Sequence, residues 1–249
     1  MKLITTLFLM AMVATAISED FINGAAYIKS APDNFVFSWI GQNTSVKTPI
    51  TIGKTYESDK EMFELMTVDQ QEIVLKLSSG MLIQVNPNSE YRLDAFNQMV
   101  ANVNTEPALL KAGDFILNSA LMNGSAYFIA PKYTSSNTMC VLQTPLMNLE
   151  LNGGKYHIKA SPKFTAIYTL EGSVGIFDNQ SNKKTIKPSG TMAMVVPSPM
   201  HNTETLILEK TIDITELQKL NDSIRQLETS SPKVMFVISS GKIIGVKLE

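Results

Sequence analysis

Side chains able to drive a reaction are few in this chain of 249 residues. Cys140 is the only cysteine, and a thiolate nucleophile needs a base beside it and a group to orient that base. Two histidines could serve, His157 and His201. Cys140 lies within Met139-Cys140-Val141-Leu142, an apolar run in which a thiol is ordinarily buried and inert. No G-x-S-x-G or H-E-x-x-H pattern offers another nucleophile or a zinc-bound water. One cysteine and two histidines scattered along the chain cannot supply the spaced ligands of a zinc site. Methionine is abundant, at 14 residues, and Met192-Ala193-Met194 with Met200-His201 has the softness to hold Cu(I). On a strand, however, positions 192 and 194 share a face, so the pair reads as a packing stripe. Glu61 with Glu64 and Asp213 with Glu216 are local pairs, read as a solvated loop and a helix cap, not as acids facing across a cleft. Tyr27, Phe35, Phe37 and Trp39 are dense enough for a sugar-stacking platform, but Phe35, Phe37 and Trp39 alternate along one strand face and read as core. No catalytic residue, cofactor or metal is assigned, and the chain is expected not to be an enzyme.

The elements that must position these side chains read as strands. From Phe35 to Val196 the chain runs in short apolar or alternating stretches, such as Ile73 to Leu77, Met81 to Val85, Tyr156 to Ala160 and Thr191 to Val196. Turn signals separate them: Ser78-Ser79-Gly80, Asn86-Pro87-Asn88, Asn152-Gly153-Gly154, Glu171-Gly172-Ser173 and Pro188-Ser189-Gly190. This pattern predicts a mainly β fold, with many short antiparallel strands in a sandwich or solenoid. Asn152-Gly153-Gly154 is expected to close a tight hairpin, because these residues tolerate positive φ. Asp59 to Leu65 could form one helical turn.

The pattern changes after Thr211. Ile214, Leu217, Leu220, Ile224 and Leu227 recur at spacings of three and four, the signature of one helix face. Asp213 and Glu216 have capping-box spacing, Ile212 can staple to Leu217, and Ser230-Ser231-Pro232 ends the helix. Val234 to Ile238 and Ile243 to Val246 then flank Ser239-Ser240-Gly241-Lys242, the makings of a hairpin. Leu217, Leu220, Ile224 and Leu227 need a surface to cover: their own β domain or a partner. They are therefore the candidate partner-binding residues.

The beginning of the chain bears on location. Lys2, the apolar run Leu3 to Val13 and Ala14-Thr15-Ala16 have the layout of a secretory signal peptide. The apolar run falls short of the roughly 20 residues that span a bilayer. Cleavage after Ala16 is expected, leaving a periplasmic or secreted product with no membrane span. Loss of Lys2 with the leader takes the formal charge from −2 to −3. Nothing is basic enough to follow a phosphate backbone, so nucleic acid is an unsuitable partner. The expected organisation is a signal peptide over 1–16, a β domain over 17–205 and a helix–hairpin extension over 206–249.

The order of segments resembles the FecR-type domain of bacterial envelope proteins. Trp39-Ile40-Gly41 followed by Ile50-Thr51-Ile52-Gly53-Lys54 is similar to its opening strand and corner. The unit Ile73 to Val85 matches its strand–turn–strand, and Asn88-Ser89-Glu90-Tyr91-Arg92-Leu93 its next strand. Leu109 to Phe115 resembles its "L-x-x-G" segment, and Val141-Leu142-Gln143-Thr144-Pro145 with Leu149 to Ile158 its "T-p" hairpin. Leu170 to Ile176 and Ile186 to Gly190 match its "E-G-x-V-x-V" and "l-x-x-G". Serine replaces the usual aspartate at Ser78-Ser79-Gly80, and Gly153-Gly154-Lys155 replaces Gly-Thr. Familiar relatives place a cytoplasmic anti-sigma portion and a membrane helix before this domain, and this chain has a signal peptide there instead. The resemblance implies a non-enzymatic envelope protein that binds another envelope or secreted protein, in signalling or assembly. The alternative is a lipid or glycan carrier with a hydrophobic β groove.

Overall fold

The computed structural model describes residues 21–31, 36–40, 45–49, 52–53, 55–57, 62–100, 107–110, 113–132, 137–178, 184–187, 190–198, 205–230 and 233–249. The expected signal peptide, Gly41, Lys54, Glu61, Met200 and His201 lie outside them, as do the side chains of Phe35, Phe37 and Trp39. The expectation of a mainly β chain with a terminal helix and hairpin holds.

One face of the main β structure runs through β17 (Thr205–Thr211), β16 (Thr191–Pro197), β14 (Thr165–Asp178), β13 (Met147–Ala160), β11 (Phe115–Ala130), β8 (Leu82–Val85), β7 (Ile73–Leu77), β2 (Ala25–Ser30) and β5 (Thr55–Glu57). A second group comprises β15 (Lys184–Lys187), β12 (Met139–Gln143), β9 (Glu90–Met99), β6 (Met62–Met66), β3 (Val36–Ile40), β4 (Ser45–Pro49) and β1 (Phe21–Asn23). The second group pairs with the other halves of β11, β13 and β14. These three long strands therefore belong to both layers. A separate sheet of β10 (Ala108–Leu109), β18 (Val234–Ser239) and β19 (Lys242–Leu248) closes the chain after helix α1 (Ile214–Thr229).

The expected short strands are present, and three strands of 14 to 16 residues stand among them. Asn152-Gly153-Gly154 closes no hairpin; it sits in the middle of a 14-residue strand, and Glu171-Gly172-Ser173 sits inside its 14-residue neighbour. The register between the two shifts between Leu151 and Gly154. Gly154 and Gly172 have φ of 138° and 81°. A Cβ on Gly154 would run into the Glu171 carbonyl, and one on Gly172 into that of Gly153. Glycine is here the residue of a bulge in which two backbones touch, the device by which a strand leaves one layer for the other. Tyr156 braces this bend: its Oη lies 2.9 Å from the Gly153 carbonyl and 2.7 Å from that of Ser173, within donating reach of both.

The sheet also departs from the expected all-antiparallel pairing at one place. β11 changes partners near Gly124, from β9 before it to β13 and β8 after it. The chain then returns and lays β12 parallel to the first half of β11, Ile116 opposite Met139. The single helical turn anticipated at Asp59 to Leu65 is also corrected: Met62–Met66 is strand β6, paired with β9.

Between the layers lies one apolar core. Leu75, Ile83, Phe128, Ile158, Ile167 and Val195 from the first layer meet Leu93, Leu117, Leu142, Leu149 and Val174 from the second. Cys140 belongs to this core at 1% exposure. The C-terminal hairpin packs Val234, Phe236 and Ile243 on Ala25 and Tyr27, forming a small separate cluster.

Candidate functional site

The outer face of the first layer positions everything of functional interest. Register places one residue per strand in a row across it: Ser30, Val74, Gln84, Tyr127, His157, Tyr168, Met192 and Lys210. Helix α1 lies over part of this row. Asp213 caps it, its Oδ1 accepting from the Thr215 and Glu216 backbone N–H groups at 2.9 and 3.4 Å. Those bonds hold the exposed Asp213 carboxyl below its usual range. Leu220 packs with Ile212, Ala166 and Tyr168, with Leu217 and Met192 at the margin. Leu227 packs on Val74 and Leu82. Leu220, Ile224 and Leu227 are buried, each contributing about 1.5–3 kcal/mol.

This placement corrects the candidate partner-binding set. Leu220, Ile224 and Leu227 are covered by the chain's own sheet or otherwise buried, and Leu217 is half-buried against it, so the stripe is occupied from within. Ile214 does not join it; at the first helical position it is 71% exposed. At the far end Lys155 Nζ reaches Glu228 Oε1 at 2.9 Å and pins the last turn to β13.

His157 is the most unusual side chain on this face. It is 5% exposed and stacked between Tyr127, with ring centroids 4.3 Å apart, and Tyr168, at 5.5 Å. Neither ring nitrogen has a hydrogen-bond partner. A buried unsatisfied polar group costs about 1–3 kcal/mol. Burial, helped by the Lys159 ammonium, lowers its pKa from 6.5 to about 3, so the ring is neutral. Tyr168 is pushed up to about 12 by burial and by Glu216 of α1.

Two regions flank the helix. On one side a cleft of about 710 Å³ runs along its C-terminal half, lined among others by Glu72, Gln84, Asn86, Ser125, His157 and Gln226. Its floor is pre-ordered. Gln84 Nε2 donates to Glu72 Oε2 at 2.9 Å and to Asn86 Oδ1 at 3.2 Å, and Asn86 Nδ2 donates to Ser125 Oγ at 2.9 Å. On the other side β17 and the part of β16 beyond Met192 carry no helix among the described residues. Leu208 sits opposite Met194, and Leu206 opposite Val196. Leu206 and Leu208 are 44% and 54% exposed. Exposed Phe164 stands at the turn leading into β14. Lys159, Lys163 and Lys210 surround this strip. β17 is the last strand in its sheet order, with no strand on its far side among the described residues.

The remaining chemical candidates do not converge. Cys140 faces the core while His157 faces outward, so the two cannot form a dyad. Met192 and Met194 share a face as anticipated, but it is the outer face and not the core, and Met192 packs beneath α1. Glu64 sits opposite Arg92 and near Glu90: burial, then the hydrogen bond its protonated form shares with Glu90 and the Glu90 charge, raises its pKa, and Arg92 opposes this. That carboxylate pair does not line the cleft beside α1. Among the described residues no group of three or more His, Cys, Asp or Glu side chains could hold a metal ion. Tyr27 packs in the small cluster under the hairpin.

No family model matches the chain, and no curated protein matches it. Two crystal structures from Parabacteroides distasonis ATCC 8503, each provisionally described as an anti-sigma factor, are similar to it in part. The first is 17% identical with a TM-score of 0.45, covering 63% of this chain and 63% of its own. The second is 16% identical with a TM-score of 0.44, covering 65% of this chain and 64% of its own. The chain thus spans under two thirds of the length of each.

Proposed function

We propose that this protein is an exported, non-enzymatic β protein of FecR-like type that binds another envelope or secreted protein through the uncovered face and edge of β16–β17. The observation that carries the reading is the strip of exposed Leu206 and Leu208 with half-buried Met194 and Val196, on a strand that ends the sheet among the described residues. An edge strand offers main-chain donors and acceptors to an added strand, and alternate side-chain positions give specificity. The three lysines around the strip favour an extended segment in which acidic and apolar residues alternate. The order of FecR-like segments and the leader-like residues 1–16 support the envelope setting.

The test is a photo-crosslinking amino acid at position 208 in the producing cells, with position 214 on the exposed helix start as control. A heavier adduct with one other protein at 208, absent at 214, is the expected result. An adduct of twice the chain's own mass would replace a foreign partner with a second copy. No adduct at 208 would remove the reading. For the alternative of a lipid or glycan carrier with a hydrophobic β groove, the space between the layers is filled by core side chains, which leaves that groove without support among the described residues.

A further inference from the structure

The cleft beside α1 has a chemistry that strand addition does not use, and we infer that it binds a neutral polyhydroxylated ligand, a short saccharide. Charge is the first argument. Lys29 and Glu72 are the ionisable side chains of opposite sign in the lining, so the site favours neither anions nor cations strongly. Ser223, Gln226, Leu227 and Ser230 come from the C-terminal half of α1, and its last turn carries no basic residue. The negative end of the helix dipole therefore lies beside the cleft and disfavours phosphate or carboxylate ligands.

Hydrogen-bonding capacity is the second argument. The chain of bonds Glu72–Gln84–Asn86–Ser125 fixes planar groups in a line along the floor. It leaves the Gln84 carbonyl oxygen and the Ser125 hydroxyl proton for an incoming group. Next to this line His157 is a neutral ring whose two nitrogens are buried and unpartnered, so it closes the cleft as a wall. A hydroxyl both donates and accepts, so it satisfies the Gln84 oxygen and the Ser125 hydroxyl alike, whereas an ammonium or a carboxylate matches only one. Half-buried Tyr127 supplies apolar surface for the C–H face of a sugar ring, while Val74 and Leu227 are packed on each other, which leaves too little for an acyl chain. The cleft also falls within the roughly 300–1,000 Å³ of small-molecule sites.

The experiment uses the full chain with maltotetraose, cellotetraose and chitotetraose as probes and inorganic phosphate as the contrast, read by ligand-observed NMR and titration calorimetry. At least one saccharide is expected to bind, and Gln84→Ala and Asn86→Ala should each weaken it about fivefold. Ser223→Trp, which fills the cleft from the helix side, should abolish binding while the melting temperature stays near that of the parent. Leu208→Asp should leave saccharide binding unchanged, which separates this site from the strand-edge reading. Absence of binding by all three saccharides overturns the inference. So does tighter binding of phosphate, or saccharide binding indifferent to both Gln84→Ala and Ser223→Trp.

Discussion

The outer face of one sheet is used in two ways. Where α1 crosses β14, β11 and β7–β8, the face is apolar and covered: Ala166, Tyr168, Val74 and Leu82 lie under Leu220 and Leu227. Where β16 meets β17, the face is equally apolar and bare, with Leu206 and Leu208 standing in solvent. The chain carries an amphipathic helix directly after β17 and does not fold it back over that strand. Hydrophobic burial would favour covering both regions, since it scales with apolar area and has no direction. An apolar strip on a strand that ends its sheet among the described residues is a hazard that folds usually blunt, and three lysines stand around this one. The difference between the regions is the difference between holding the fold together and leaving a surface for another molecule.

Substitutions should separate the two regions, and the largest effect belongs to the covered one. Leu220→Ala should cost about 2–4 kcal/mol, because it opens a cavity between α1 and Tyr168. Calorimetry should then show a melting temperature several degrees lower, at roughly 2–4 °C per kcal/mol for a chain of this size. If Leu220→Ala melted with the parent, the helix would not be part of the cooperative unit.

The next effect is one of pH. The lowered pKa means that the unfolded chain binds a proton at His157 that the folded chain refuses. Stability should therefore be level above about pH 6.5 and fall as pH drops from 6.5 toward about 3. Lys159, and Tyr168 with its neighbour Glu216, face the same ring, so the comparison must be with His157→Phe in an otherwise unchanged chain. Denaturant titrations should show a shallower loss between these pH values for His157→Phe. Parallel curves would mean that other groups dominate acid unfolding. Smallest is Lys155→Ala: its partly exposed pair with Glu228 should change stability by about 0.2–1 kcal/mol, and a larger loss would mark the last turn of α1 as a fastening point.

The helix was legible because its signals were local. Asp213 and Glu216 gave the cap, and Leu220, Ile224 and Leu227 gave the buried face, while Ile214 misled because periodicity does not say where the sheet ends. The turn at Ser78-Ser79-Gly80 was legible for the same reason. The glycines at 153, 154 and 172 were misread as reversals, since positive φ serves a bulge inside a long strand as well as a hairpin, and only tertiary pairing decides. β17 went unseen for a different reason. Thr205-Leu206-Ile207-Leu208-Glu209-Lys210-Thr211 lies at the change of pattern between strands and helix, where neither period dominates. The His157 row could not be read at all, because it is assembled from strands far apart in the sequence. Its only local trace is the alternation in Tyr156-His157-Ile158-Lys159, which puts the histidine opposite the core residues.

The division of the face is tested most directly by the double variant Leu206→Asp/Leu208→Asp, measured for melting temperature together with photo-crosslinking from position 210. A recognition strip predicts a melting temperature within about 1–2 °C of the parent, as expected for surface changes of about 0.5 kcal/mol or less, and loss of the cross-linked partner. A fall in melting temperature as large as that of Leu220→Ala, with the cross-link retained, would contradict it and make the bare face a working part of the core.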